Sequence, residues 1–434
     1  MKKHFSFLVL LTAITILSYG QANTTLSNLT APTAVNQNLI PNNNNKRNLG
    51  SANKSWKMLF LGNSIYLEDT LFLNSQGLQN TFVGKQAGNS LTTGAYNTAG
   101  GYKSLYSNTT GNWNTAYGQY AMYLNPTGSQ NTAIGSLTLY SNMSGYCNVA
   151  LGQSSLYLNN GGFMNSGLGF ETLFSNTTGN YNTASGAYAL YFSNGSYNTA
   201  SGYRALYLNT TGNYNTAIGE SSLYYNTSGS LNTASGNYSL YFNTTGGSNV
   251  TSGYKAGRNN STGNNNVFIG WQAGYNNTNG SNNVYIGYNT GGTGSVDHIS
   301  NTVAIGANVN TTQSNTIILG TSQNVGIGTT NPQYKLSVNG TIQAKELRVE
   351  TGWSDYVFEK NYKLPSLENV VAYIEKNKHL PGINSAKDIQ QNGLAVADMQ
   401  TKMMAKIEEL TLYIIQQNLQ IQQLKEKVEQ IEKQ

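Results

Sequence analysis

The sequence is poor in charge and in cysteine, and each shortage removes a class of interpretation. Only 10% of the 434 residues are charged, whereas globular chains carry about 25%. Five basic and three acidic residues lie between Asn80 and Asn301. They form no basic stripe for phosphate contacts, so we expect no nucleic-acid partner. The single cysteine, Cys147, has no internal partner for a disulfide, and we expect it to be a small buried residue inside a repeat.

Long hydrophobic runs are also missing, apart from a short one at the N-terminus. Two lysines precede an apolar run from Phe5 to Leu17, and small residues lead to a cleavage position after Gly20. This pattern is typical of a signal peptide, and the run is too short for a comfortable membrane span. We therefore expect residues 1–20 to be removed, residues 21–48 to be a flexible leader, and the mature chain to be secreted or displayed on the cell surface without a membrane span.

The abundant asparagine and glycine are organised into a repeat of 17 residues. An Asn opens each unit and a Gly follows four positions later, and the one irregular step is the 16 residues from Asn182 to Asn198. A fixed short period predicts stacked units, here called rungs, each of which contacts its neighbours. The opening residues are Asn80, Asn97, Asn114, Asn131, Asn148, Asn165, Asn182, Asn198, Asn215, Asn232, Asn249, Asn266 and Asn283.

The pattern inside a rung predicts two short strands and two turns. The first strand is Asn-Thr-Ala followed by the Gly. The second carries a Leu-Tyr pair, as in Ala-Leu-Tyr-Leu at 205–208, and Asn-Thr-Thr-Gly then closes the rung. We therefore expect a mainly β protein with a parallel β-roll or β-solenoid over residues 80–323. Because neighbours in a strand point to opposite faces, the Leu column should point inward and the Tyr column outward or towards another chain.

The interior expected from this pattern is thin. Burying a Leu contributes about 1.5–3 kcal/mol, whereas ordering each backbone residue costs about 1–2 kcal/mol. The rungs therefore need hydrogen-bond ladders to both neighbours and a second buried face, for which the aromatic column is the candidate. We infer a homo-oligomer of rolls packed side by side. In the rungs that open at Asn80, Asn249 and Asn266, Ala-Gly replaces Leu-Tyr; these rungs are either caps or places where the roll changes width.

These rungs, with Asn, three residues and then Gly around small apolar side chains, resemble the β-roll heads of trimeric autotransporter adhesins. The resemblance covers the stretch from Asn80 to about Tyr288, although the unit here is longer than those heads ordinarily use. It implies a trimer and an adhesive role, with a surface glycan or a host or matrix protein as partner.

The composition changes near residue 324, where a conventional domain begins. Strands over Lys335–Val338 and Thr341–Ala344 flank Asn339-Gly340, the strongest two-residue hairpin signal. A helix is predicted from Ser366, which can cap its N-terminus, to Lys378. We expect residues 324–398 to form a small α+β domain.

Residues 399–434 are predicted to form a coiled-coil helix. Apolar residues recur at alternating steps of four and three, with Ile or Val at a and mostly Met, Leu or Ile at d. Ile at a with Leu at d ordinarily favours two strands, whereas the adhesin resemblance implies three, and Gln417 at d leaves both open. The seam residues are Met403, Ile407, Leu410, Ile414, Gln417, Ile421, Leu424, Val428 and Ile431.

Two further resemblances concern the segments that flank the repeats. Asn48–Ser51 with Trp56–Leu59 resembles a short β motif of phage tail-fibre-like proteins, so residues 49–79 are expected to be a short β segment. The stretch 324–409 resembles the C-terminal tails of bacterial tail-fibre-like surface proteins and, more distantly, the intramolecular chaperone domain of phage tail spikes. The latter resemblance implies that the tail drives folding and trimerisation of the repeats.

The chaperone resemblance also implies an enzymatic alternative. Those domains cut themselves off with a serine–lysine pair, and Ser354-Asp355 fits their motif. The lysine expected at position 359 is Glu359, and Lys360 follows one place late. Ser354 is thus either a nucleophile activated by Lys360 or Lys363, or an ordinary turn residue. Carboxylates are sparse, which disfavours glycan hydrolysis by the solenoid.

The repeats offer binding surfaces rather than sites for metals or cofactors. No Cys, His or carboxylate cluster has metal spacing, and we expect neither a metal nor a cofactor. A column of threonines either binds ice or polysaccharide or satisfies the strand edges and solvent. The Tyr rows either stack on sugars or pack between chains. An exported, non-enzymatic structural or adhesive fibre is the function that we expect, with a self-cleaving tail-spike-type protein or a glycan-binding or depolymerising solenoid as the alternative. The threonines are Thr98, Thr115, Thr132, Thr183, Thr199, Thr216 and Thr233.

Overall fold

The computed structural model describes residues 64–67, 70–74, 79–292, 296–349 and 355–433. The predicted signal peptide, the leader, most of the 49–79 segment and Ser354 lie outside these ranges. The chain divides into two compact units, one ending at Thr321 and the other beginning at Ser322.

The first unit is a parallel β-solenoid, as the 17-residue period predicts. Each rung contributes a three-residue strand that begins just after the opening Asn, and equivalent residues pair, as in Ala99 with Ala116. The 16-residue step keeps this register, with Ala184 opposite Ala200. The strands are β1 (Ser64–Leu67), β2 (Thr70–Asn74), β3 (Thr81–Val83), β4 (Thr98–Gly100), β5 (Thr115–Tyr117), β6 (Thr132–Ile134), β7 (Val149–Leu151), β8 (Ser166–Leu168), β9 (Thr183–Ser185), β10 (Thr199–Ser201), β11 (Thr216–Ile218), β12 (Thr233–Ser235), β13 (Val250–Ser252), β14 (Val267–Ile269), β15 (Val284–Ile286), β16 (Val303–Ile305) and β17 (Ile317–Leu319).

The N-terminal edge of this sheet differs from the rest. Strands β1 and β2 pair antiparallel with each other, and β2 pairs antiparallel with β3. From β3 to β17 each strand pairs in parallel with the next. The first complete rung is therefore continued by an antiparallel pair rather than by another rung.

The prediction of a second strand in each rung is wrong. The Leu-Tyr segment is a bend in which Lys103 has φ 52° and Leu105 has φ 51°, and the other rungs repeat this alternation. A fully extended segment, at about 3.3 Å per residue, would not turn the chain back within 17 residues. Hydrogen bonds to both neighbouring rungs hold the left-handed residues: the Leu105 N–H donates to the Ala121 carbonyl and the Lys103 N–H donates to the Lys85 carbonyl, each at 2.9 Å.

The predicted direction of the side chains is nevertheless confirmed. The Leu column is fully buried beside the Ala column of the strands, and the Tyr column is half-buried on the outside. The buried large side chains of the Leu column are Leu105, Met122, Leu139, Leu156, Leu173, Leu190, Leu206, Leu223 and Leu240.

The second buried component is a pair of asparagine ladders, which the sequence interpretation missed because it assigned asparagine to turns. The first ladder is made by the opening residues of the rungs. The Oδ1 of Asn97 accepts the N–H of Asn114 at 2.9 Å, and the Nδ2 of Asn97 donates to the Gly111 carbonyl at 2.9 Å. One carboxamide thus links two rungs and closes its own rung, which satisfies polar groups that would be costly to bury unpaired.

The second ladder runs through the asparagines of the closing turns. The Nδ2 of Asn125 donates to Asn108 Oδ1 at 3.1 Å and to the Gly128 carbonyl at 3.0 Å. A Cβ on Gly111 would lie 2.2 Å from the Gly128 carbonyl oxygen, so the closing turn requires glycine for close stacking. The ladder members are Asn108, Asn125, Asn142, Asn159, Asn176, Asn209, Asn226, Asn243, Asn260 and Asn277.

The short rung interrupts this second ladder. Ser193 stands where the other rungs have Asn, and Asn176 Oδ1 is buried without a hydrogen-bond partner in the described part of the chain. Because this rung is one residue shorter, a side chain takes over a hydrogen bond that a backbone carbonyl makes in other rungs. The Asn194 Oδ1 accepts the Thr177 N–H at 2.7 Å, a bond that Thr109 makes with the backbone carbonyl of Pro126 in another rung. The deletion therefore stays local.

Two of the three rungs that lack Leu-Tyr, those that open at Asn80 and Asn266, carry an aromatic residue on the strand. The rung that opens at Asn249 has Thr251 there, and a Cβ on its Gly257 would lie 2.8 Å from the Phe268 ring of the next rung. In the rung that opens at Asn266, Phe268 occupies the Ala position of the strand, and a Cβ on Gly274 would lie 2.5 Å from its ring. Phe82 with Gly88 and Tyr285 with Gly291 repeat the exchange. The interior is filled from the strand wall instead of the bend wall, and the Leu column is replaced by glycine to make room.

Cys147 is half-exposed, so the prediction that it is buried is wrong. It precedes the opening Asn, at a position where the side chain points outward, and its Sγ lies 3.1 Å from Gln130 Oε1.

Within residues 322–349 and 355–433, the second unit contains a two-stranded sheet and three α-helices. Strand β18 (Val325–Ile327) pairs in parallel with β19 (Leu336–Val338). The predicted hairpin around Asn339-Gly340 is therefore wrong, since residues 341–344 form no strand and the partner of β19 lies before it. A 3₁₀ helix covers Asp355–Phe358, and the α-helices are α1 (Leu367–Asn377), α2 (Ala386–Asn392) and α3 (Val396–Glu432).

The predicted helix near Ser366 is confirmed as α1. The Ser366 side chain accepts the N–H of Asn369, and Lys378 ends the helix in the left-handed conformation. Helix α3 contains the predicted heptads in 37 continuous residues. Among the described residues, no helix is long and apolar enough to cross a membrane.

Candidate functional site

The outward Tyr column forms a continuous stack of rings along the solenoid. Neighbouring rings are 4.9–5.2 Å apart between centroids and nearly parallel. The members, half-buried, are Tyr106, Tyr123, Tyr140, Tyr157, Phe174, Tyr191, Tyr207, Tyr224 and Tyr241. We call this column, with the outward side chains one, two and six positions after each rung's glycine, the aromatic face.

Cationic side chains extend the stack at one end and lie over rings along it. Arg258 occupies the next position of the Tyr column, and its guanidinium carbon lies 5.4 Å from the Tyr241 ring centroid and 5.8 Å from that of Tyr275. Arg204 lies 4.9 Å from the Tyr203 centroid, and Lys103 lies 5.3 Å from that of Tyr106. These cation–π contacts hold the long side chains against the face.

Stacking also changes the titration of the phenols. Burial between neighbouring rings, followed by the charge of nearby groups, raises the pKa of Tyr140, Tyr191 and Tyr207 above the ordinary value. The pKa of Tyr241 rises for the same first reason. The Glu220 carboxylate raises the pKa of Tyr238, whose hydroxyl donates to Glu220 at 3.1 Å.

The stack limits what the aromatic face can bind. A sugar stacks on the flat face of a ring, but every ring between the two ends of the column already has a neighbour on both flat faces. The side that remains is the ring edge with its hydroxyl. The face therefore presents a row of phenolic hydroxyls with cations among them, which suits hydrogen bonding and not the sugar stacking considered from the sequence.

The outer side of the parallel sheet forms a second surface, which we call the sheet face. In each strand from β3 to β16 the middle residue is buried and the two flanking residues point outward. The threonines singled out in the sequence lie in the first of these two columns and are half-buried or exposed. Val, Ile, Leu, Ser, Gly, one further Thr and one Tyr fill the remaining positions of both columns.

The third surface is the seam of α3. Its a and d residues are exposed, from 50% for Ile421 to 72% for Ile431. The residues of α3 that are buried, Ala405, Glu408 and Glu409, occupy other heptad positions. The Tyr362 hydroxyl donates to the Glu409 carboxylate at 2.5 Å, and Lys406 pairs with the same carboxylate at 2.8 Å.

Helix α3 therefore packs on its own unit with one side and leaves the apolar seam without cover in the described chain. Burial and the bond to Glu409 raise the pKa of the Tyr362 phenol, so this phenol stays protonated as a donor.

The candidate catalytic pair is not tested by this geometry. Ser354 lies outside the described residues, and Lys360 is exposed after the 3₁₀ helix. His298 lies 2.8 Å from the Asp297 carboxylate, and His379 lies 3.1 Å from the Leu380 carbonyl. No group of three or more His, Cys, Asp or Glu side chains within the described ranges is placed to hold a metal ion.

Comparison with known proteins adds no relative. No family model matches the sequence, no curated protein matches it, and no solved structure matches the chain.

Proposed function

We propose that this protein is an exported structural or adhesive fibre, without enzymatic activity, that assembles as a homotrimer. The observation that carries the proposal is the exposed seam of α3. A seam of nine positions with heptad spacing is unfavourable when its apolar side chains are exposed to water. It becomes buried when it packs against the same seam of another copy. The N-terminal charged and apolar pattern supports export.

The solenoid supplies the extended part of the fibre. Its rungs stack at about 4.8 Å each, and every rung repeats the same outward columns, so a partner meets many equivalent groups along one line. The tail carries the self-association element, which supports a role in bringing the copies together before or while the rungs stack. A surface glycan or a matrix protein is the partner class that the repeated hydroxyls favour.

Sedimentation of the chain from residue 21 onward tests the proposal. We expect a species of three times the chain mass across the micromolar range. A species of two chain masses would retain the coiled coil and overturn the trimer. A monomer with an intact solenoid, verified by circular dichroism, would overturn the proposed assembly.

A further inference from the structure

Charge is distributed very unevenly over the solenoid. Every charged side chain between Asn80 and Gly292 lies on the aromatic face. The contacts of Lys103, Arg204 and Arg258 with the ring stack place them there directly. The seven residues are Lys85, Lys103, Glu171, Arg204, Glu220, Lys255 and Arg258.

The sheet face, in contrast, has no charged side chain in either outward column from β3 to β17. Its composition also changes along the solenoid. Strands β9 and β10 present Thr and Ser, whereas β14 to β17 present Val, Ile and Leu. Ile269, Ile305 and Leu319 are 40%, 42% and 47% exposed. The longest run of strands with apolar side chains in both outward columns is therefore the C-terminal part of this face, from β14 to β17.

We infer that copies of the chain contact one another through the C-terminal part of the sheet face, and that the aromatic face points away from the assembly. This inference rests on the proposed self-association and adds which surface carries it. The sequence alone favoured the aromatic column as the buried face, and the geometry reverses that expectation.

The second copy is favoured as the occupant for two reasons. The chain already carries an unpartnered heptad seam, and the apolar rungs are those nearest to it in the sequence. Around the three-fold axis of a trimer the surfaces that point inward converge, and equivalent side chains come close together, which is favourable for an uncharged face. On the aromatic face the same contact would bring the cationic cluster of Lys255 and Arg258 close to its symmetry mates.

The area of the apolar patch on the sheet face indicates how much it can contribute to association. Four strands at about 4.8 Å spacing, with outward residues about 6.7 Å apart along each strand, make a patch on the order of 250 Å². A stable interface needs about 800 Å² from each partner. The sheet face therefore orients the solenoids relative to one another, while the α3 seam supplies most of the association.

Thiol labelling of the full chain tests this inference. Ile305→Cys and Tyr203→Cys are placed separately in a Cys147→Ser background, because the two native side chains are equally exposed in the single chain, 42% and 43%. We expect a maleimide to label position 305 at least tenfold more slowly than position 203 in the assembled protein. Ile269→Cys and Tyr254→Cys, both 40% exposed natively, form a second matched pair.

A seam variant separates the two proposals. Ile414→Lys should dissociate the assembly, and both thiols of each pair should then be labelled at similar rates. Equal labelling in an assembled protein, or protection of position 203, overturns the sheet-face inference and leaves the proposed assembly intact. A parent protein that sediments as a monomer overturns both.

Discussion

At the scale of single residues, the interior of the solenoid follows a volume rule that involves two positions at once. A small residue on the strand goes with Leu on the bend in most rungs, and an aromatic residue on the strand goes with Gly on the bend. In the rung that opens at Asn249, Thr251 is on the strand and Gly257 makes room for Phe268 of the next rung. Both columns were visible in the sequence as separate patterns. Their coupling was not, because it depends on the two walls facing each other across the rung.

A double-mutant cycle at Phe268 and Gly274 tests this rule. Phe268→Ala leaves a cavity and should cost about 3–5 kcal/mol. Gly274→Leu drives a side chain into the Phe268 ring and should cost about 1–3 kcal/mol. Together they reproduce an ordinary rung, because Gly274 already has φ 66° and Leu at this position elsewhere has φ near 50°. We expect the double variant to recover most of the lost stability in denaturant unfolding. Additive losses would contradict the rule.

The buried asparagines show where residue-level interpretation of the sequence was incomplete. Asn and Gly predicted turns correctly in kind, since the closing turns do contain them. The same periodicity also places each carboxamide above the next, 17 residues on, where it bonds rather than faces solvent. Composition gives no sign of this, because Asn is ordinarily an exposed residue.

At the scale of the element, the ring stack has a consequence for alkaline solution. The unfolded phenols ionise near pH 10, whereas burial raises the pKa of Tyr140, Tyr191, Tyr207 and Tyr241 in the folded chain. The folded state therefore holds its protons longer, and stability is fully present below about pH 10 and is lost as the pH rises through the folded pKa values.

Thermal unfolding followed between pH 8 and pH 12 checks this prediction. The midpoint should fall above about pH 10 together with the rise of phenolate absorbance. Tyr140→Phe and Tyr207→Phe should each flatten the fall, because Phe174 shows that the stack accepts a ring without a hydroxyl. A midpoint unaffected by pH over this range would show that the stacked phenols do not contribute.

The elements differ in how well the sequence predicted them. The rung period, the strand after each Asn, and helices α1 and α3 follow from spacing and capping residues that act within a few positions. The bend was misinterpreted as a strand because its Tyr residues favour strands, and the closing of the rung overrides that preference. The hairpin predicted at Asn339-Gly340 was wrong because β19 pairs with a strand that precedes it.

At the scale of the whole molecule, the seam of α3 allows a matched test of assembly. Ile414 lies at an a position, and Gln416, two residues later, lies on the outer side of the same helix. We expect Ile414→Lys to raise the concentration at which the assembly dissociates by at least tenfold, since three ammonium groups would meet in an apolar seam. Gln416→Lys should change it less than twofold in the same sedimentation series. Equal effects would exclude the seam as the contact.

The cations on the ring stack have a consequence for resistance to proteolysis. Proteases that cut after lysine or arginine find five such residues between Asn80 and Gly292, and four of them, Lys103, Arg204, Lys255 and Arg258, lie against aromatic rings. Lys103, Arg204 and Lys255 also have φ between 52° and 57°, whereas a protease binds its substrate as an extended strand. Proteases of this specificity therefore find few suitable bonds in the solenoid.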